Sequence, residues 1–382
     1  MKSVTGENLS PSRLAFRKLT GNPGAVAGLL FITLNIFTAL FCYTFMPDGS
    51  PNANVMSLPL SLQPPGTRVD LLSIPLAKVE KVSWLTRMVS GAPVSHSFIP
   101  VDTFYVHHSR IQYREFSSDP DCPGDTGSLP LEVLGSGGEG LAGETTIADQ
   151  YIRRHCLTQR TFWLGTDRFG RDVLSRLMLA SRVSLSVGLI AVVISLTIGI
   201  TLGALAGFYR GWVDRLVMWL VNVVWSIPTL LLVVAITMAL GKGFMQVFIA
   251  VGLTMWVEVA RMVRGQFFSL REQQFVEAGR ALGFSNARII VRHILPNVIG
   301  PVIVMAAGNF ASAILLEAGL SFLGMGVQPP VPSWGMMIKE NYALIVADAA
   351  WLAIIPGMAI AMMVLAFTLL GNGLRDAFDV RE

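Results

Sequence analysis

Between Val183 and Phe208 the chain runs without a charged side chain. A helix crosses the roughly 30 Å hydrocarbon layer of a bilayer in roughly 20 apolar residues. Inside lipid the backbone polar groups must be satisfied within the segment, so a stretch of this kind resolves as a helix. Five other stretches reach that length: about Gly24–Met46, Leu216–Leu240, Phe244–Val263, Asn297–Leu320 and Ala350–Leu370. The first is longer than the roughly 7–15-residue apolar region of a cleaved signal peptide and reads as a retained anchor. Pro228 stands near the middle of the third stretch. Charged residues make up 14% of the chain, against roughly 25% in soluble domains. That is too few to cover a soluble surface of 382 residues. With 52% hydrophobic residues a disordered chain is excluded, and a net charge of +4 gives no support to a nucleic-acid partner.

Lysine and arginine in short loops orient the spans. With the N-terminus inside, the inner segments hold Lys2, Arg13, Arg17 and Lys18, then Arg210 and Arg215. They also hold Arg261, Arg264, Arg271, Arg280, Arg288 and Arg292, and finally Arg375 and Arg381. The short outer loops hold only Lys242 and Lys339. Arg168, Arg171, Arg176 and Arg182, just outside the second span, run against this bias. The expected arrangement is a multi-pass protein with both termini cytoplasmic.

Residues 47–157 read as an extracytoplasmic insertion of mixed or β-containing structure between the first two spans. Alternation over Phe98–Val106 and Ile111–Phe116, with His107, His108 and Ser109 between, predicts a hairpin. The stretch from Cys122 to Gly143 reads as a loop. Cys122 and Cys156 share this segment, and an oxidising compartment would join them in a disulfide. Gly135–Gly140 matches G-x-G-x-x-G as a string but lacks a surrounding βαβ pattern, so it reads as a flexible loop. His107 and His108 have no third ligand placed by spacing and read as solvated or structural. The chain has no Walker A sequence, no H-E-x-x-H and no G-x-S-x-G. Gly241-Lys242-Gly243 lacks the Ser or Thr that a phosphate loop needs. No catalytic, cofactor or metal site is expected in this chain.

Polar residues inside spans are costly and therefore informative. Glu258 and Arg261 are three apart on one helix face and are expected to pair near the inner end of the fourth span. Glu317 stands near the outer end of the fifth span, at the interface or on a pathway. Asn222 and Asn309 are candidates for hydrogen bonds between helices.

The inner loop at about 264–296 carries the most signal. Ser269-Leu270-Arg271-Glu272 is a capping-box pattern that predicts a helix start. Gly283 is expected to end that helix, and Ser285 to cap a second one ending before Pro296. Phe275, Ala278 and Leu282 fall on one apolar face. Such a face needs a partner surface or the protein's own spans.

Glu277-Ala278-Gly279-Arg280-Ala281-Leu282-Gly283, followed by Ile294-Leu295-Pro296, resembles the "EAA" signature of ABC importer permeases, with Gly279 in place of the usual second Ala. Leu164–Arg176 resembles the G-T-D-x-x-G-R-D segment of the dipeptide/oligopeptide/nickel-type permeases, C-type subunit. Glu317–Gly324, Pro329–Gly335 and Leu374–Asp379 are similar to further segments of that subfamily. The resemblance covers about 158–382 in order. It implies an all-α polytopic fold with six transmembrane helices and the type I importer core. It also implies a permease subunit that moves short peptides or a similar solute across a bacterial inner membrane by alternating access.

The resemblance implies partners as well: a second homologous permease, two cytoplasmic ATPases that bind the ATP and Mg, an extracytoplasmic solute-binding protein, and membrane lipid. Glu277, Ala278, Gly279 and Gly283 are then the residues expected to meet an ATPase. Domain limits follow at 1–46, 47–157 and 158–382. The insertion is longer than the subfamily leads one to expect. An ATPase-independent channel or secondary transporter is the alternative reading.

Overall fold

The structure, a computed structural model, describes residues 11–76, 82–119, 121–137, 145–241 and 243–378. Lys2, Lys242, Asp379, Arg381 and the end of the Gly135–Gly140 string lie outside the described residues. A short helix, Pro11–Gly21, leads into α1, Pro23–Leu40. Pro23 suits the first helical position, and the Asn22 side chain accepts the Ala25 N–H at 3.2 Å. After the sheet described below come α2 (Val173–Tyr209), α3 (Gly211–Trp225), α4 (Thr229–Leu240) and α5 (Phe244–Leu270). The chain continues with the short α6 (Gln274–Ala281), the long α7 (Asn286–Phe322), α8 (Trp334–Asn341) and α9 (Trp351–Phe378). Among the described residues, five helices are long and apolar enough to cross a membrane, or six where the bent pair α3 and α4 is counted as one span.

That pair occupies the stretch expected to be one span over Leu216–Leu240, with Pro228 at its break. It bends by 93° between α3 and α4. Pro228 has no N–H to donate and disfavours helical backbone at Ile227, so the helix stops at Trp225 and restarts at Thr229.

The closest packing joins α2 to α5. Gly199, Gly203 and Gly207 recur every four residues along α2 and face α5. A Cβ on Gly203 would stand 2.5 Å from the Ala260 carbonyl oxygen, so only glycine permits this approach. Val259, Val263 and Phe267 of α5 are fully buried in that contact region, with Val276, Ile289, Ile294 and Val298.

An antiparallel five-stranded sheet stands where α1 ends and α2 begins. Its order is β4-β3-β2-β1-β5, with β1 Thr67–Pro75, β2 His96–His107, β3 Arg110–Glu115, β4 Thr126–Pro130 and β5 Leu157–Phe162. The expected hairpin is β2–β3, turned by His108 and Ser109, both at positive φ (46° and 56°). β4 lies within the stretch expected to be loop. β5 carries the sheet to Phe162, past the boundary expected at 157, and leads directly into the segment before α2.

No disulfide joins Cys122 and Cys156, because both are free thiols. Cys156 is buried in the core under the sheet with Leu72, Val101 and Ile111, whereas Cys122 is exposed in the connection after β3. The shared segment brought the two cysteines into one subdomain without bringing them to one place.

Candidate functional site

The two ends of α2 carry the two most elaborated regions, and the loop end holds the predicted ATPase-facing residues. There α5 runs through Ser269 to Leu270, so the Ser269–Glu272 capping box is not used. The chain turns at 271–273, and α6 starts after Gln273 without a side-chain cap. Val276 and Gly279 face inward, and Val276 is fully buried among Phe208 of α2, Phe267 of α5 and Ile289 of α7.

The helix ends as Gly283 dictates. At φ +73° Gly283 donates to the Arg280 carbonyl at 2.9 Å, and Phe284 donates to the Gly279 carbonyl at 3.0 Å. These two bonds are those of a Schellman motif. Phe284 then lies over Gly279, where a Cβ would meet its ring at 3.4 Å. Ser285 accepts from the Arg288 N–H at 3.4 Å and starts α7.

The expected stop before Pro296 does not occur, because α7 passes through it. A π-helical turn at Ile289–Ile294, with Leu295 N–H on the Ile290 carbonyl, widens the helix ahead of the proline ring.

With Val276 and Gly279 turned in, the opposite face of α6 is bare. Phe275 is 40% and Leu282 72% exposed, and Glu277, Ala278 and Gly283 are exposed beside them. The base of this loop is pinned. Arg210 reaches Glu272 at 2.7 Å and the Phe268 carbonyl at 3.2 Å, and Arg264 makes a two-point contact with Asp214. A firmly seated helix thus presents an apolar outer face. Sequence periodicity found that face. It missed the inward pair Val276 and Gly279, whose burial depends on α2 and α7.

At the sheet end, Asp167, Arg171, Arg176 and Glu340 form a closed ion quartet. Arg171 contacts Asp167 at 2.7 Å and Glu340 at 2.8 Å, and Arg176 contacts the same two at 3.1 Å each. No member exposes more than 9% of its side chain. Burial pushes the Glu340 carboxyl up, against the pull of Arg171. Asp172 caps α2 by accepting from the Ser175 N–H at 2.9 Å. Trp334, on α8 beside the quartet, is buried and donates to the Leu177 carbonyl at 3.2 Å.

These contacts account for the arginines that ran against the charge bias. Arg171 and Arg176 are neutralised inside the protein, Arg182 donates to the Val89 carbonyl at 2.7 Å, and Arg168 lies over Phe169.

The remaining polar residues of the spans separate. Glu317 is fully buried, accepting from Ser321 at 2.7 Å and Ser184 at 3.3 Å, so it ties α7 to α2 inside the protein. Asn309 is buried, and its Nδ2 has no hydrogen-bond partner among the described residues. Asn222 is exposed, and its side chain has no hydrogen bond to another helix among the described residues. The expected Glu258–Arg261 pair is absent. Arg261 stacks on Trp225 at 3.6 Å, leaving Glu258 exposed.

Comparison with known proteins bears on these regions. The family model described as "Binding-protein-dependent transport system inner membrane component" matches residues 199–382, all of them beyond the sheet. The chain is 42% identical over 217 residues to the dipeptide transport system permease protein DppC of Alkalihalophilus pseudofirmus, covering 57% of this chain and 71% of that protein. It is 44% identical over 217 residues to the glutathione transport system permease protein GsiD of Escherichia coli O157:H7, with coverage of 57% and 71%. Among solved structures, the inward-facing MetNI methionine ABC transporter is similar at 20% identity and a TM-score of 0.44, over 54% of this chain and 96% of that one.

Proposed function

The chain belongs to the binding-protein-dependent transport system inner membrane components, as a transmembrane permease subunit of an ABC importer, and from that premise we propose that its cargo is a short peptide and that α6 receives an ATPase. One observation carries the second part. The outer face of α6 is apolar and bare, while its inner face is locked into the span core through Val276. A push on such a helix reaches α2, α5 and α7 without first deforming a loop. Glu277, Ala278, Gly279 and Gly283 lie on or beneath that surface, with the small residues allowing close approach.

In this reading both termini and α6 are cytoplasmic, and the sheet stands outside the bacterial inner membrane. The arginines around α6 support that orientation. In such importers ATP hydrolysis belongs to separate subunits, so ATP and Mg act on two partner ATPases rather than on this chain. A second homologous permease completes the membrane unit, and a solute-binding protein delivers the cargo to the sheet side. The dipeptide and glutathione permeases among its relatives support a peptide cargo. Family membership sets the alternative of an ATPase-independent channel aside.

The test is to purify the chain from membranes with and without Gly283→Val. Wild type retains the ATPases and drives uptake, while the variant loses both. Retention and uptake that survive the substitution sink the assignment. Binding of dipeptides, glutathione and nickel complexes to the partner solute-binding protein decides the cargo.

A further inference from the structure

The break in the third span opens a cavity of about 340 Å³, inside the roughly 300–1,000 Å³ range of small-molecule sites. Trp225 at the corner, Thr229 on α4, Thr254 and Glu258 on α5 and Ser312 on α7 line it, and most of the remaining lining is aliphatic. Glu258 is the only charged residue of that lining. Its carboxylate forms no ion pair or hydrogen bond among the described residues. The cation next to it on the same helix is occupied elsewhere, since Arg261 lies over the Trp225 indole at 3.6 Å. Carboxylates in membrane spans are costly and characteristically line water-filled cavities on substrate or ion pathways. Solute sites in transporters are commonly built where a span is broken, as this one is by 93°.

We propose that this cavity is a cargo site in which Glu258 receives the primary ammonium group of the solute. The hydroxyls of Thr229, Thr254 and Ser312 take its polar remainder, and the aliphatic wall takes its side chain. The site selects amines with a free ammonium, including peptides with a free N-terminus, and rejects N-acylated or anionic analogues. The chemistry named here rests on the transport reading above, but its first test does not.

The complete transporter, reconstituted in nanodiscs, is treated with a hydrophobic carbodiimide, and mass spectrometry follows the adduct at Glu258. Butylammonium and alanyl-alanine amide slow that modification, while N-acetyl-alanyl-alanine amide does not. Absence of an adduct, or equal protection by the acetylated compound, overturns the proposal. Protection by butylammonium in a transporter that imports no dipeptide leaves the site standing and overturns only the peptide cargo. In proteoliposomes E258Q lowers dipeptide uptake while binding-protein-stimulated ATP hydrolysis persists, and E258D restores uptake. Unchanged uptake by E258Q removes Glu258 from the pathway.

Discussion

The two ends of α2 solve opposite problems. At the sheet end the protein hides charge, with two arginines and two carboxylates buried against one another and every strong contact made within the chain. At the loop end it displays hydrocarbon, with Phe275 and Leu282 bare on a short helix whose base is fixed by salt bridges. A closed polar cluster needs nothing further. An exposed apolar helix on a rigid seat is unfinished until something covers it. The first end is built for integrity and the second for contact, and substitutions at each should fail in different ways.

The largest effect is expected from Arg171→Met, which leaves Asp167 and Glu340 sharing Arg176 alone. Breaking a buried pair costs about 3–5 kcal/mol, so thermal unfolding of the purified chain should fall sharply whether or not partners are present. A melting curve like wild type would show that the quartet does not hold the sheet end closed. Leu282→Asp should do the reverse. Stability of the chain alone stays within about 0.5 kcal/mol, while affinity for the ATPases drops by about 2 kcal/mol, the threshold of a strong interface contact. Loss of stability without loss of affinity would mean that the face packs on this chain.

Gly283→Ala is intermediate and sharpens the contrast. A side chain at φ +73° strains the backbone by about 1–2 kcal/mol, read as lowered stability accompanied by weakened ATP-dependent uptake. Smallest is Cys122→Ser, with stability within about 0.5 kcal/mol of wild type because the thiol is exposed and unbonded. A large destabilisation there, or a Cys122–Cys156 peptide in a non-reducing digest, would restore the disulfide.

The spans were legible because lipid imposes one requirement on every residue of a segment, and a run such as Val183–Phe208 meets it visibly. The hairpin was legible because its turn and alternation are local. Pro228 was visible too, but its consequence was not. Whether a proline kinks a span or breaks it at 93° depends on what lies beside it. Ser269–Glu272 misled because a helix already in progress overrides a start signal, and Pro296 because the preceding wide turn makes room for it. The glycine stripe at 199, 203 and 207, which marks the closest helix contact, went unread although its four-residue spacing stands in the sequence. In the candidate site, the outer face of α6 followed from periodicity. Its inner attachment, the stacking of Arg261 on Trp225 and the isolation of Glu258 all required neighbours distant in sequence.

The glycine stripe has a mechanical consequence. At about 1.5 Å per residue the 37 residues of α2 make a shaft about 55 Å long, well beyond the roughly 30 Å of hydrocarbon it crosses. Backbone contact with α5 doubles that shaft over its Gly199–Gly207 portion, which stiffens it against bending. A sideways shift of about 3 Å at the Phe208 end then tilts it by about 3° as a single lever, since its length at about 1.5 Å per residue sets the arm. The other end of that arm is Asp172, the N-cap of α2, a few residues after β5 of the sheet ends at Phe162. Work done on one face of the membrane would thus register on the other as a change in the sheet's angle.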